Sequence, residues 1–293
     1  MFRIIKTFSQ LIEENWKLKI IAFWILSFLP RKILFFLQHN ITNRSSKKIL
    51  TLDSDWLFIL EKINELNSDN DIKLLEFGAG RNLAQNIYLA LSHKKLRQSV
   101  VDLNPMLNEK LTLQAYYQIC KLLNKKPMNN FNNIKELLNL LKIDYLAPLD
   151  ISSFLTKEKF DVCISKDTIE HIPKKNLYKI FKNLKTLIKK DGLLISCVDY
   201  SDHYSHTFKH LSPVNFLKYN SFHWFFFNPP NHFQNRIRHN ELIKILKDCN
   251  FTQYEERLEK IDDLNFNVSK KYREFKLEEL LTVRSQILSK NNI

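Results

Sequence analysis

Leu74-Leu75-Glu76-Phe77-Gly78-Ala79-Gly80-Arg81-Asn82 is the stretch whose reading decides the fold. The chain has 293 residues and only three glycines, two of them here. Glycine used so sparingly marks places where a Cβ is not accommodated, in a turn with positive φ or against a ligand. Upstream, Lys73 to Phe77 has the length and apolar character of a buried strand. Downstream, Leu83, Ile87 and Leu91 recur at i, i+4 and i+8, the spacing of one helix face. Strand, glycine turn and helix together place a ligand at the positive end of a helix in a doubly wound α/β sheet.

The dinucleotide fingerprint Gly-x-Gly-x-x-Gly/Ala fails at Leu83, which argues against a nicotinamide cofactor. A carboxylate, Glu76, stands two residues before the first glycine. Asp102 lies in a second apolar stretch, Ser99 to Leu103, where an acid at a strand tip accepts ribose hydroxyl protons. Glu-x-Gly-x-Gly followed by such an acid resembles the class I S-adenosylmethionine-dependent methyltransferases, with Asn82 at the position of their third glycine. The resemblance implies an α/β, Rossmann-like fold of seven strands in a mostly parallel, doubly wound sheet. It implies S-adenosylmethionine as cofactor, with Glu76, Gly78, Gly80, Asn82 and Asp102 around it.

Ile143 to Asp150 reads as a third strand ending in an acid. The resemblance gives Asp150 the adenine amine as partner, while its residue type equally suits an N-cap. Phe160 to Lys166 is a fourth strand, and Lys166 joins the expected cofactor set. The following Asp167-Thr-Ile-Glu170-His171-Ile-Pro173 resembles the Glu-His-Ile/Leu signature found after strand four in many small-molecule methyltransferases. Leu177, Ile180, Phe181, Leu184 and Leu187 mark an amphipathic helix. Asp191-Gly192 reads as a turn before a fifth strand, Leu193 to Val198. Then come a helix over Asn240 to Leu246, a sixth strand over Phe251 to Leu258, polar helical sequence over 262–279, and a strand over Thr282 to Ser289. The family pattern makes that last strand antiparallel, between the fifth and sixth.

Residues of about 200–238 have no sustained period and read as an insertion over the carboxyl edge of the sheet. Six of the nine histidines fall between His203 and His239, among many aromatic residues. Methyl transfer to a hydroxyl needs a proton acceptor, and histidine titrates near neutral pH. The candidates are His203, His171 and His206, with Asp202 or Asp199 orienting His203. Asp199, Asp202, His203 and His206 also form a carboxylate–imidazole set, but they match no ligand-spacing rule, so no metal is expected. The wording of the insertion, with Asn215 to Tyr219, Trp224 and Asn235 to Arg238, looks like a group of bacterial methyltransferases of surface-polysaccharide or other glycan biosynthesis. This resemblance covers roughly 72–259. Asn228-Pro229-Pro230 does not make the chain an amino methyltransferase of nucleic acids or proteins, since that motif belongs directly after strand four and is followed by an aromatic residue.

The formal net charge is +14, and residues 1–50 carry nine Lys/Arg against two acids. Such a segment suits anionic partners or a solvated surface; no recognition module accompanies it, so no specific nucleic acid is expected. Ile20 to Leu29 is the most apolar run, about half the roughly 20 residues that span a bilayer. It reads as a helical cap on the core or as an interfacial helix with basic flanks. The expected organisation is a basic helical extension over 1–70, with a linker at 40–46, and a methyltransferase domain over 71–293. Four scattered cysteines without a Cys-x-x-Cys pair suit reduced thiols in the cytoplasm, with peripheral membrane contact through 1–48 as an option. The expected acceptor is a hydroxyl of a sugar or glycan precursor. A membrane lipid or isoprenoid is the alternative acceptor, and a binding module without turnover the alternative class.

Overall fold

The computed structural model describes residues 15–30, 33, 49, 51–66 and 70–292. The linker expected at 40–46 and most of the basic segment lie outside the described residues. Seven strands form one sheet: β1 (Ile72–Phe77), β2 (Leu96–Val101), β3 (Ile143–Leu146), β4 (Phe160–Lys166), β5 (Ile188–Asp199), β6 (Phe251–Lys260) and β7 (Thr282–Asn291). Their spatial order is β3-β2-β1-β4-β5-β7-β6. The first five strands pair in parallel, and β7 runs antiparallel between β5 and β6. The winding reverses between β1 and β4, which opens a crevice at their carboxyl ends.

The central strands are covered on both faces and read as nearly unbroken apolar runs; Leu74 and Leu75 of β1 and Val162 to Ile164 of β4 are fully buried. Edge strand β6 instead alternates and carries charge on its solvated face. On one face, α2 (Ser54–Asn64), α3 (Ala84–Ser92) and α4 (Glu109–Leu122) press Phe58, Ile59, Ile87 and Ile119 onto Leu74, Val100 and Ile164. On the other, α6 (Lys174–Leu187) and α8 (His239–Asp248) pack Leu177, Phe181, Leu184 and Leu242 against Leu75, Cys163 and Leu194. The α5 helix (Ile134–Leu140) abuts β3. All four cysteines are buried free thiols.

Several boundaries differ from expectation. The α2 helix, expected in the extension, is built into the core, where the buried Asp55 carboxylate meets Arg284 and accepts from Gln286 Nε2 at 2.8 Å. Strand β3 ends at Leu146, because Pro148 brings no N–H to continue a ladder. Strand β5 begins at Ile188, and Asp191-Gly192 is an irregularity in its pairing with β4. The positive φ of 57° belongs to Asp191; Gly192 is required by close approach, since a Cβ there would meet Ile188 Cγ2 at 2.7 Å and Asp161 O at 3.0 Å. Residues 262–279 are largely irregular, with a 3-10 turn at Lys270–Tyr272, and α9 spans Leu277–Leu281. No apolar stripe runs along them; Phe266, Tyr272 and Phe275 pack singly against the insertion's Phe216 and Trp224.

Two arginines hold the insertion without a ladder, Arg236 by bonding its carbonyls and Arg238 by tying it to the segment before β7. Arg238, fully buried, donates to Tyr200 O at 3.0 Å, Glu279 O at 3.2 Å, Leu280 O at 3.2 Å and Thr282 O. Arg236 donates to Phe216 O and Tyr219 O and lies 4.9 Å over the Trp224 ring. Replacing Arg238 by Met leaves buried carbonyls without donors, so the variant should lose about 3 kcal/mol or more of stability. Denaturant unfolding followed by circular dichroism checks this; a loss below about 1 kcal/mol contradicts the anchoring role.

Short helix α7 (Ser221–Phe227) lies in the insertion, and α1 (Trp16–Ser27) packs on it. Ile20 of α1 is buried against Tyr204 and Phe208, Lys19 Nζ donates to Thr207 Oγ1 at 2.7 Å, and Trp24 Nε1 donates to Phe226 O at 2.6 Å. The apolar run is thus a cap over the insertion on one face. Its other face leaves Ile21, Ile25 and Phe28 exposed. Among the described residues, no helix is long and apolar enough to cross a membrane.

Candidate active site

A cavity of about 640 Å³ fills the crevice at the winding reversal, with Gly78, Gly80, Asp102, Asp150, Thr168 and His171 on its wall. That volume is ordinary for a small-molecule site. Both glycines of the turn adopt the left-handed region, at φ 80° and 77°. A Cβ on Gly78 would lie 2.4 Å from Thr168, whose hydroxyl donates to Gly78 O at 3.0 Å. A Cβ on Gly80 would meet nothing within 4 Å, so this glycine faces the open cavity. Asn82 does not line the cavity; its Oδ1 accepts from Ala84 N at 3.2 Å and fixes the entry to α3. Leu83 there takes φ 48° with its side chain buried in the core.

Asp102 is 4% exposed, and its Oδ2 is buried with no hydrogen-bond partner. Burial pushes its carboxyl up to about 6, with Tyr145 partly offsetting. An orphaned acceptor on the cavity wall suits a hydroxyl-bearing ligand, and the bare Gly80 backbone leaves room for one to lie close. The residues present therefore fit an adenosyl cofactor. Asp150 also borders the cavity, exposed, while its Oδ1 accepts from Ser152 N at 2.8 Å, so it caps the next turn as its residue type suggested.

Two of the expected cofactor residues point elsewhere. Glu76 is buried away from the cavity wall, accepting from Gln85 Nε2 at 3.0 Å and Asn86 Nδ2 at 2.5 Å, and it ties β1 to α3. Lys166 is held by Asp53 at 3.3 Å, Asp55 at 3.5 Å and Asp167. Burial, helped by the nearby Asp102 charge, raises Glu76 from the usual 4.5 to about 7. The native state then keeps a proton that the unfolded chain releases, so this contribution to stability is complete below pH 4.5 and is lost as pH rises toward 7. In Glu76→Gln that dependence should vanish, leaving the variant on the order of 3 kcal/mol less pH-sensitive across the interval in unfolding at pH 4.5 and pH 7.5.

Beside the cavity stands a second group, built from two segments. Glu170 and His171 lie on the 3-10 turn after β4, and His203 comes from the insertion, its ring 4.9 Å from that of His171. His171 lines the cavity, and His203 stands one ring behind it. His171 Nδ1 lies 2.9 Å from Phe233 O. A carbonyl only accepts, so Nδ1 carries the proton and the neutral ring keeps its lone pair on Nε2. Burial, reinforced by His171, lowers His203 to about 4.

The carboxylate beside His203 is Asp199, at 3.8 Å, which also approaches His206 at 3.3 Å. Burial works against the Asp199 charge, but hydrogen bonds from His206 and Ser201 outweigh it and hold the carboxyl at about 2. Asp202 is turned from His203 and spent on the loop, accepting from Tyr204 N at 2.9 Å and Asn215 Nδ2 at 3.2 Å. The set Asp199, Asp202, His203 and His206 therefore does not converge. Glu170 was not among the expected site residues; it is 2% exposed, and neither carboxylate oxygen is bonded by another residue. Burial, then the Asp167 charge, pushes its carboxyl well above the usual range. The Glu-His pair was the only local signal for it.

Strand order, glycine turn and strand-tip acid define a doubly wound α/β protein with a cavity at the reversal of its winding whose lining fits an adenosyl cofactor. The chain belongs to the methyltransferase-domain family, whose model matches residues 48–256, and its cofactor is S-adenosylmethionine. No curated protein matches it. Among solved structures, the CurJ carbon methyltransferase is similar at 14% identity and TM-score 0.51, over 98% of this chain and 71% of that one. A methyltransferase from Clostridium acetobutylicum is 17% identical over 90% and 99% of the two chains, with TM-score 0.45. The magnesium protoporphyrin IX methyltransferase from Synechocystis is 14% identical over 81% of each, with TM-score 0.45.

Proposed function

We propose that this methyltransferase acts on a hydroxyl of a sugar or glycan precursor. The observation that carries the reading is the imidazole–carboxylate group of Glu170, His171 and His203 beside the cofactor cavity. A hydroxyl loses its proton on methylation, and His171 brings this group to the cavity wall. S-adenosylmethionine supplies an electrophilic methyl on a sulfonium whose departure needs no acid. The protein's part is alignment, worth roughly 7–11 kcal/mol, and help with the proton, worth about 10²–10⁴-fold. The likeness of the insertion's sequence to glycan-modifying enzymes supports a sugar as acceptor. The test incubates the protein with methyl-labelled cofactor and extract from cells lacking the gene, then fractionates the extract. Label in polysaccharide or lipid-linked sugar is the expected result; label confined to protein, nucleic acid or small amines overturns the reading.

A second reading, with a membrane lipid or isoprenoid as acceptor, is favoured by one surface. Ile21 and Ile25 of α1 and Phe222, Phe225 and Phe226 of α7 are exposed, and the two helices meet where the Trp24 ring lies tilted 5.9 Å from that of Phe225. Such a face suits the headgroup–acyl boundary of a bilayer. Flotation with anionic phosphatidylglycerol vesicles should recover the protein, and Ile25→Ser with Phe225→Ser should cut recovery by about fivefold or more. Equal recovery of both proteins removes this reading.

A further inference from the structure

Among the described residues, the buried carboxylate oxygens without a hydrogen-bond partner are Asp102 Oδ2 and both oxygens of Glu170. The other buried acids are engaged: Asp55 by Arg284 and Gln286, Glu76 by Gln85 and Asn86, Asp199 by Ser201 and His206, Asp202 by Tyr204 and Asn215. Asp102 faces the cofactor cavity, which accounts for its free oxygen. Glu170 is 2% exposed and has no such account, and a buried acid whose polar atoms are left unpaired costs about 1–3 kcal/mol. One ligand-capable atom each from Glu170, His171 and His203 lies within 4.8 Å of the others.

We propose that Glu170, His171 and His203 hold a divalent first-row cation at the rim of the cofactor cavity, with its remaining positions open to water and to the acceptor hydroxyl. The His171 Nδ1–H bond to Phe233 O is the arrangement that orients a ligating imidazole and leaves Nε2 to bind. One carboxylate with two imidazoles suits manganese through zinc and is too rich in nitrogen for magnesium or calcium. Donors around an ion at about 2.1 Å stand roughly 3–3.5 Å apart, so the three side chains draw together by about an ångström on binding. The ion also neutralises the buried Glu170 carboxylate.

The use of the ion rests on the hydroxyl reading above; its binding does not. A hydroxyl bound at an open position becomes acidic and loses its proton to solvent. Its oxygen then forms the new C–O bond as the methyl C–S bond breaks, giving a methyl ether and S-adenosylhomocysteine. The cation changes neither charge nor oxidation state. In this arrangement the imidazoles serve as ligands and do not take the proton.

The full chain, stripped with EDTA and dialysed, is titrated with MnCl2 while the electron paramagnetic resonance signal of free Mn²⁺ is followed, without cofactor. About one ion per chain is expected, with ZnCl2 competing and MgCl2 competing at least about tenfold less well. Glu170→Gln and His203→Ala should each weaken binding by about tenfold or more. Circular dichroism and calorimetric cofactor binding of both variants show that they are folded. Absence of saturable Mn²⁺ or Zn²⁺ binding, or undiminished binding in both variants, overturns the site. If cofactor binds and label still reaches the sugar fraction without cation dependence, the metal fails and the hydroxyl reading stands. If the ion binds at these residues but label reaches only protein or amines, the site stands and the hydroxyl reading fails.

Discussion

Asp102→Ala should weaken S-adenosylmethionine binding by about 100-fold or more in calorimetry, with the fold intact. Its Oδ2 is the buried acceptor on the cavity wall without a protein partner. Two ribose hydroxyls donating to a carboxylate contribute about 1.5–3 kcal/mol each, or about 3–6 kcal/mol together. The substitution also removes a buried, unpaired acid, so the unliganded protein should unfold no earlier than wild type. Asn keeps one acceptor oxygen and should lose only about tenfold. Burial raises the Asp102 carboxyl to about 6. As pH falls through that value the free site takes up a proton that the cofactor's hydroxyls must displace, so wild-type affinity declines. The Ala variant should show no such decline. Wild-type affinity in Asp102→Ala would remove the ribose assignment.

Gly78→Ala should be the most damaging single-atom change in the site, costing about 2–4 kcal/mol in chemical denaturation. Two penalties coincide there. The backbone sits at φ 80°, and the new Cβ would lie 2.4 Å from both Cγ2 and Oγ1 of Thr168. Thr168 is branched at Cβ and its hydroxyl is bonded to Gly78 O and Lys166 O, so it has little freedom to retreat. Gly80→Ala is the control. Its φ of 77° carries the same strain, but the Cβ meets open space, so stability should fall by only about 1 kcal/mol. That methyl enters the cavity, and cofactor affinity should fall instead. Equal stability losses in the two variants would show that backbone strain, and not the Thr168 contact, sets the cost.

The local pattern carried the frame. The apolar run Phe160 to Lys166 became β4 at those residues, and the leucine spacing after Pro173 became α6. The two glycines of the turn took the conformations their scarcity implied, and Asp102 reached the cavity at the tip of β2. Strand and helix periods are properties of neighbours two to four residues apart, which the chain displays directly. The antiparallel β7 came through family resemblance, since its own stretch says nothing of its partners.

What a side chain does once placed depends on residues far along the chain. Asp199 and Asp202 look interchangeable in sequence; one faces His203 and His206, and the other is captured by Tyr204 and Asn215. Lys166 ends a strand beside the cofactor cavity, yet Asp53 and Asp55 claim its charge from a helix more than a hundred residues earlier. Glu170 and His171 announce themselves as a pair, but His203 joins them only because Arg236 and Arg238 fasten the irregular insertion across the sheet edge. The sequence by itself determined the sheet, the glycine turn and the acid on the cavity wall, because those follow from local spacing. The tertiary structure alone decided which acids and histidines share a site, because electrostatic pairing and burial are settled between segments that only the fold brings together.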